Sequence, residues 1–170
     1  MDIAQNSIRA KASRIEIDVE EYPARDAFII TIRDNGEGMD AAAVSRVTDP
    51  FFTSRTTRKV GLGIPLLKQN AEATGGSLTI HSAPGEGATV QATFARDHLD
   101  RPPAGDIPGA IVLLVAANPG IEIRYKYTTD NGEYAFNSAE IKNILGDIPL
   151  DNADIVAALR EMITENTKDL

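Results

Sequence analysis

The residues best suited to chemistry sit in two glycine-punctuated stretches and one helical amide. Asp34, Gly36 and Gly38 of "DNGEGM" follow directly on the apolar run "DAFIITIR". A carboxylate at a strand end can accept hydrogen bonds from an amine. The glycines beside it either supply the positive φ of a tight turn or clear side chains from a place where a ligand must approach the backbone. Both readings stand at this point. The second stretch, Gly61, Leu62 and Gly63 of "GLGIP", opens a helix after an irregular segment. Free N–H groups at a helix start, together with its dipole, favour anionic groups such as phosphate. The spacing is neither that of a P-loop nor that of a Rossmann fingerprint, and close helix packing is the competing use of these glycines. Asn6 lies mid-helix among Ile3, Ala4 and Ile8. Its amide either bonds within the protein or serves a metal ion that bridges phosphates.

These groups need a scaffold, and the apolar pattern supplies one. "DIAQNSIRA" has helical spacing and precedes the alternating strand "RIEIDVE". "FIITIR" pairs back as the next strand and reads as covered on both faces or nearly so. Asp40 caps a short helix, "AAAVSRVT", that must stop before Pro50. "PFFTSRTTRKVGLG" has no clean period and reads as a functional or mobile loop. The helix "IPLLKQNAEAT" carries Pro65 in its first turn and closes on Gly75 and Gly76. "SLTIHSA" and "ATVQATF" form a hairpin on "PGEG". Strands, then helices, then strands predict an α+β fold, a two-layer sandwich with helices on one face of a mixed sheet. Residues 1–98 form this unit, and 99–106, rich in proline and glycine, form a linker. Residues 107–170 read as a small α/β appendage packed on the first domain: an apolar helix near Ile107–Ala117, a hairpin turning on "TDNG", a short helix capped by Asn137, and a last helix from Asn152 with Ile155, Leu159, Met162 and Ile163 on one face.

Composition narrows the classes. The chain has no cysteine, which removes disulfides, thiolate catalysis and sulfur-ligated metals and fits a cytoplasmic location. Its longest apolar run is too short to span a bilayer, so no membrane insertion is expected. A net charge of -8 disfavours electrostatic binding to nucleic acid or anionic membranes.

The order of the pieces carries more than any one of them. "DIAQNSIRA", "DNGEGM", "DPFFTSR", "GLGIPLL" and "GGSLTIHSAPGEG", in that order over about Asp2 to Phe94, resemble the motif series of the GHKL superfamily, the Bergerat-fold ATP-binding domains of gyrase, heat-shock chaperones, histidine kinases and mismatch-repair ATPases. "DPFFTS" and "GLGIPLLK" look most like the bacterial histidine-kinase branch. The resemblance implies ATP and Mg²⁺ as cofactors. It implies that Asp34 accepts from the adenine amine, that Gly36 and Gly38 keep the base pocket open, and that Asn6 completes the Mg²⁺ shell. Gly61, Leu62 and Gly63 would hold phosphates through backbone amides. Phe51 and Phe52 match the aromatic box beneath a lid formed by 53–60, in which Arg58 and Lys59 would meet the γ-phosphate; a solvated basic loop is the alternative for those two.

Departures from the pattern shape the functional expectation. Relatives that hydrolyse ATP carry a Glu four residues before the metal-binding Asn, where this chain has Asp2 as the candidate base. Many place a Thr directly after the last "GxG"; here that position is Ala88, and Thr89 points to the other sheet face by strand alternation. The first helix starts several residues later than in relatives, so the unit reads as truncated at its N-terminus. His81 and His98 lack the setting of a phosphoacceptor histidine. The expectation is a Mg·ATP-binding domain of histidine-kinase type in bacterial signalling or regulation, phosphorylating a separate protein partner. The alternatives are an ATPase with a lid-driven cycle or a non-catalytic nucleotide-sensing module.

Overall fold

The computed structural model describes residues 1–48 and 63–170. Its centre is one six-stranded sheet in the order β3-β4-β2-β1-β5-β6. The strands are β1 (Arg14–Tyr22), β2 (Ala27–Asp34), β3 (Ser77–Ser82), β4 (Ala88–Ala95), β5 (Glu122–Thr129) and β6 (Glu133–Asn137). The helices are α1 (Asp2–Arg9), α2 (Ala41–Val47), α3 (Gly63–Ala73), α4 (Ile107–Ala117), α5 (Ser138–Leu145) and α6 (Ala153–Lys168). All neighbouring strands are antiparallel except β1 and β5, which are parallel. A parallel pair needs a crossover connection, and α4 provides it. Its start is fixed by Asp106, whose Oδ1 accepts from the Gly109 amide at 2.9 Å. No helix among the described residues is long and apolar enough to cross a membrane.

Residues 107–170 therefore share their sheet with the N-terminal unit. Ile15 lies beside Ile123, Ile17 beside Tyr125 and Val19 beside Tyr127, and the Glu122 amide donates to the Ser13 carbonyl at 2.9 Å to start the ladder. Ile111, Val112, Leu114 and Val115 of α4 and Leu159 and Ile163 of α6 join Ile15, Val19, Phe28 and Val90 in one buried cluster.

The helices cover one face only. Phe28 and Ile32 of β2 fall on that face, while Ile29 is only partly buried and Arg33 is exposed on the other. The expectation that this strand is covered on both faces is thus corrected. The consecutive isoleucines mask an alternation that the cross-strand partners make plain: Glu16 and Arg124 flank the row of Arg33, and Asp18 and Lys126 that of Thr31. Thr31 is buried without a helix above it because its neighbours shield it, and its hydroxyl oxygen accepts from Gln91 Nε2 at 3.1 Å. Ion pairs tile the rest of the open face, with Arg33 on Asp18 at 2.8 Å and Lys126 on Glu133 at 2.6 Å. Exposed pairs of this kind contribute little to stability.

At the sheet end opposite Asp34, the core-facing Glu21 accepts from Arg96 Nε at 2.7 Å and from the Tyr127 hydroxyl at 2.8 Å. Burial alone would raise its pKa, but these hydrogen bonds and the guanidinium charge outweigh it and hold the carboxyl below its ordinary value. Burial and Glu21 together push the Tyr127 phenol up to about 12.

Two outcomes follow from this architecture. Ile123→Ala, in a side chain with no exposed surface, should cost about 2–5 kcal/mol, and urea unfolding should remain a single transition because both parts of the chain share one core. Glu21, with a depressed folded-state pKa, stabilises the protein above the ordinary glutamate value of 4.5 and loses that contribution as the pH falls through its lower folded value. The stability difference between the wild type and Glu21→Gln should accordingly be largest near neutrality and shrink in acid.

Candidate functional site

Asp34 ends β2 on the core-facing side, in a row with Ser82 and Ala88 on one flank and Ile15 on the other. It is half-buried. Its Oδ2 accepts from Ser7 Oγ at 2.6 Å and its Oδ1 from the Gly36 amide at 2.9 Å. An ionised carboxylate offers about four lone-pair sites, so two bonds fix its rotamer and leave acceptor capacity. Ser7 is a buried residue of α1, and its hydroxyl finds in Asp34 the partner that burial demands.

The loop after Asp34 is clamped from three sides. Asn35 Oδ1 accepts from the Ser13 and Arg14 amides at 3.0 and 2.8 Å, and its Nδ2 donates to Ser13 Oγ at 2.9 Å. The Glu37 amide donates to the Ala10 carbonyl at 2.8 Å, and the Glu37 carbonyl accepts from the Gly85 amide at 2.7 Å. Ser82 Oγ accepts from the Met39 amide at 2.8 Å and donates to the Gly87 carbonyl at 2.6 Å. One hydroxyl thereby joins the loop to the β3–β4 hairpin.

Of the two uses their spacing raised, the tight turn is seen at Gly38, and the space the glycines clear is taken by neighbouring backbone. Gly38 has a φ of +69° and Gly87 one of +75°, in the left-handed region that side chains resist. A Cβ on Gly38 would also coincide with the Ala83 carbonyl oxygen, and one on Gly87 with that of Asp34. At Gly36 the obstacle is α1 itself, with the Ala10 carbonyl oxygen 2.5 Å from where a Cβ would sit. Backbone obstacles cannot rotate away, so these glycines let α1, the loop and the hairpin meet at the edge of the carboxylate.

The starts of α1 and α3 also touch. A Cβ on Gly63 would lie 2.8 Å from the Asp2 Cβ, so glycine sets the spacing between the two helices. Asp2 and Asn6, four residues apart, share a side of α1, and both are exposed. The Asn6 amide is exposed, and among the described residues its Oδ1 accepts from Arg9 Nη1 at 3.4 Å. Ser7 turns inward to Asp34 while Asn6 turns outward, so one helix serves two parts of the site.

Asp2, Asn6, Asp34, Gly36, Gly38 and Gly63 are thus gathered at one end of the sheet. Thr89 is not among them. It pairs in register with Arg33 and His81 on the open face, while Ala88 faces Asp34. Phe51, Phe52, Arg58, Lys59, Gly61, Leu62 and the lid segment 53–60 lie outside the described residues. The sequence reading missed Ser82, although Leu78, Ile80 and Ser82 fall on one face by alternation. It gave no role to Ser7, although a hydroxyl among Ile3, Ala4 and Ile8 needs a partner. No sequence signal marked Asn35 as a clamp, since its partners are the backbone amides of Ser13 and Arg14 and the Ser13 hydroxyl, brought to it only by strand pairing.

The family model described as histidine kinase-, DNA gyrase B- and HSP90-like ATPase matches residues 1–98. A putative sensor protein of Shewanella frigidimarina is 33% identical over 97 residues, 56% of this chain and 15% of that protein. The sensor protein kinase FleS of Pseudomonas aeruginosa is 37% identical over 87 residues, 51% of this chain and 21% of that protein. The chain thus spans a minor part of the length of these relatives. Among solved structures, the N-terminal domain of a DNA repair protein aligns with a TM-score of 0.53 at 17% identity, over 79% of this chain and 49% of that one. That likeness concerns the fold, and it reaches past the residues the family model matches. With that model covering more than half of its length, the chain belongs to the histidine kinase-, DNA gyrase B- and HSP90-like ATPase family, as an ATP-binding domain of the histidine-kinase type.

Proposed function

We propose that this domain binds Mg·ATP at the Asp34 end of the sheet and serves bacterial signalling by presenting the nucleotide to a separate protein phosphoacceptor. The observation that carries the reading is the Asp34 carboxylate, fixed by Ser7 and Gly36 with acceptor capacity to spare. An adenine amine satisfies such an acceptor. Guanine presents a carbonyl at the same edge, which would leave two acceptors facing each other and the remaining lone pairs of the half-buried carboxylate without a donor.

The phosphates would then extend toward the start of α3, where Gly63 would offer a backbone amide. Asn6 fits a magnesium site there. Its amide is exposed and, among the described residues, held by a single long hydrogen bond, and magnesium takes few protein oxygens, keeping water and phosphate for the rest. Among the described residues no cluster of three acidic or histidine side chains could form an all-protein cage. The ion would supply charge neutralisation at the phosphates, and Asn6 would hold it there. Phosphoryl transfer depends on positioning and electrostatics, so the work of this chain is to fix the base through Asp34 and the phosphates through α1 and α3. His81, one residue from the Asp34 row, lies on the opposite, open face of the sheet, and His98 follows β4 at the other end, which favours an acceptor on another protein. One observation favours ATP hydrolysis as a second reading: Asp2 stands against Gly63, where a carboxylate could activate water beside the phosphates.

Calorimetric titration with ADP and a non-hydrolysable ATP analogue tests the site. The wild type should bind in a magnesium-dependent manner, Asp34→Asn should weaken binding at least about tenfold, and Ser7→Ala should weaken it by about three- to tenfold. Unchanged affinity in Asp34→Asn would overturn the assignment.

The glycine contacts give a separate expectation. Gly85 has positive φ but open space around it, so Gly85→Ala should cost about 1 kcal/mol of stability. Gly87→Ala, blocked by the Asp34 carbonyl, should cost at least about 2 kcal/mol more and lose nucleotide affinity as well, as denaturant unfolding and titration of the two variants would show.

A further inference from the structure

Residues 107–170 lie outside the family match, and their surface is not uniform. In α5, Ile141 and Leu145 pack toward the core, but Ile144 is 80% exposed and Ile148, in the turn just past the helix, is 49% exposed. Pro149 beside it is exposed too. The turn is hydrogen-bonded: the Gly146 amide donates to the Lys142 carbonyl at 3.1 Å and the Ile148 amide to the Leu145 carbonyl at 3.2 Å. Glu140, one helical turn before Ile144, and Asp147 and Asp151, on either side of Ile148, are all exposed. Among the described residues these three carboxylates make no ion pair. The nearby Lys142 directs its Nζ to the Pro119 carbonyl at 3.3 Å. The result is an apolar spot edged by uncompensated negative charge.

We propose that this surface docks a basic amphipathic helical segment of a partner protein, its apolar side chains covering Ile144 and Ile148 and its lysines or arginines meeting Glu140, Asp147 and Asp151. Charge selects this occupant. A second copy using the same face would set carboxylates against carboxylates, and nucleic acid or an anionic membrane would meet the same repulsion on a chain of net charge -8. A basic segment gains electrostatic steering, and leucines three or four residues apart match apolar anchors spaced across a turn. The inference rests on the reading of this chain as one that works with a protein partner, and it uses no residue of the nucleotide site.

The test is fluorescence anisotropy on the full chain with a labelled Leu/Lys helical peptide of about 18 residues, with a Leu/Glu peptide and a Gly/Ser/Lys peptide of equal positive charge as comparisons. The Leu/Lys peptide should bind in the micromolar range. Ile144→Asp and the double change Asp147→Lys, Asp151→Lys should each weaken it at least about tenfold, and amide exchange should slow over 140–152 on binding. Leu99→Asp, at a side chain 97% exposed elsewhere, should change nothing. Equal binding by Ile144→Asp, or equal binding of the Gly/Ser/Lys or Leu/Glu peptide, would overturn the proposal. So would a dimer in sedimentation that Ile144→Asp dissolves, since that would give the face to a second copy. ADP titration of Ile144→Asp should match the wild type, so failure at this surface and failure of the nucleotide reading are separable.

Discussion

The bond from Ser7 to Asp34 joins the helix of the site to the sheet at its chemical end, and most of the local architecture depends on it. A buried serine hydroxyl requires a partner, and a half-buried carboxylate requires donors. Each meets the other's need at 2.6 Å, which sets both the rotation of α1 and the orientation of the carboxylate. With α1 turned so that Ser7 faces inward, Asn6 must face outward and Asp2 must meet the start of α3. The glycines follow from the same constraint, since the end of α1 can lie this near the loop only if Gly36 has no side chain to strike Ala10. Orientation of the carboxylate and docking of the helix are thus one packing event.

The second part of the chain is tied into that end of the sheet by its ladder. Since β1 and β5 are parallel, Arg14 and Glu122 begin their strands side by side, and Arg14 Nε donates to Glu122 Oε2 at 2.9 Å. Asn35, next to Asp34, holds the Ser13 and Arg14 amides. Glu122 in turn accepts from Asn137 Nδ2 at 3.2 Å, and Ser138 Oγ accepts from the Ile123 amide at 2.8 Å. A continuous set of hydrogen bonds therefore runs from the loop beside Asp34 to the first turn of α5. Most of these groups are exposed, so their individual energies are small; their effect is to fix register.

Much of this was legible in the sequence, and what was not has a physical cause. Local signals held: Asp40, Asn137 and Asn152 cap their helices through side-chain oxygens, Pro65 sits in the first turn of α3, and the apolar run at 107–117 is a helix buried against β5 and α6. These depend on neighbours within four residues. The position of β5 was not legible, because "IEIRYKY" alternates in the same way whether its hairpin stands alone or extends a sheet. The open face was hidden for a related reason: consecutive isoleucines at 29 and 30 blur alternation, and only Glu20 and Thr93 beside Ile29, against Val19 and Ala92 beside Ile30, reveal which side meets water. Within the candidate site, the place of Asp34 at the end of a strand and that of Asn6 on a helix were readable from the apolar pattern. Asn35 was not, since an asparagine beside a glycine is equally a turn residue, and its clamp on Ser13 exists only once β1 and β2 have paired.

The same topology explains why polar chemistry collects at the Asp34 end of the sheet. The α1–β1 turn, the loop after β2, the β3–β4 hairpin and the α4–β5 and β6–α5 connections all emerge there, each ending a strand or helix with backbone groups the ladder does not use. Such groups must bond to side chains, to one another or to a ligand. Ser82, Asn35 and Ser138 satisfy those that hold the connections together. What they leave is the remaining acceptor capacity of Asp34 and the exposed amide of Asn6, on opposite sides of one helix turn. On the proposed function, a ligand with a donor-bearing planar base at one end and a polyanion with its cation at the other would satisfy both at once, whereas a base or a phosphate alone would satisfy only one.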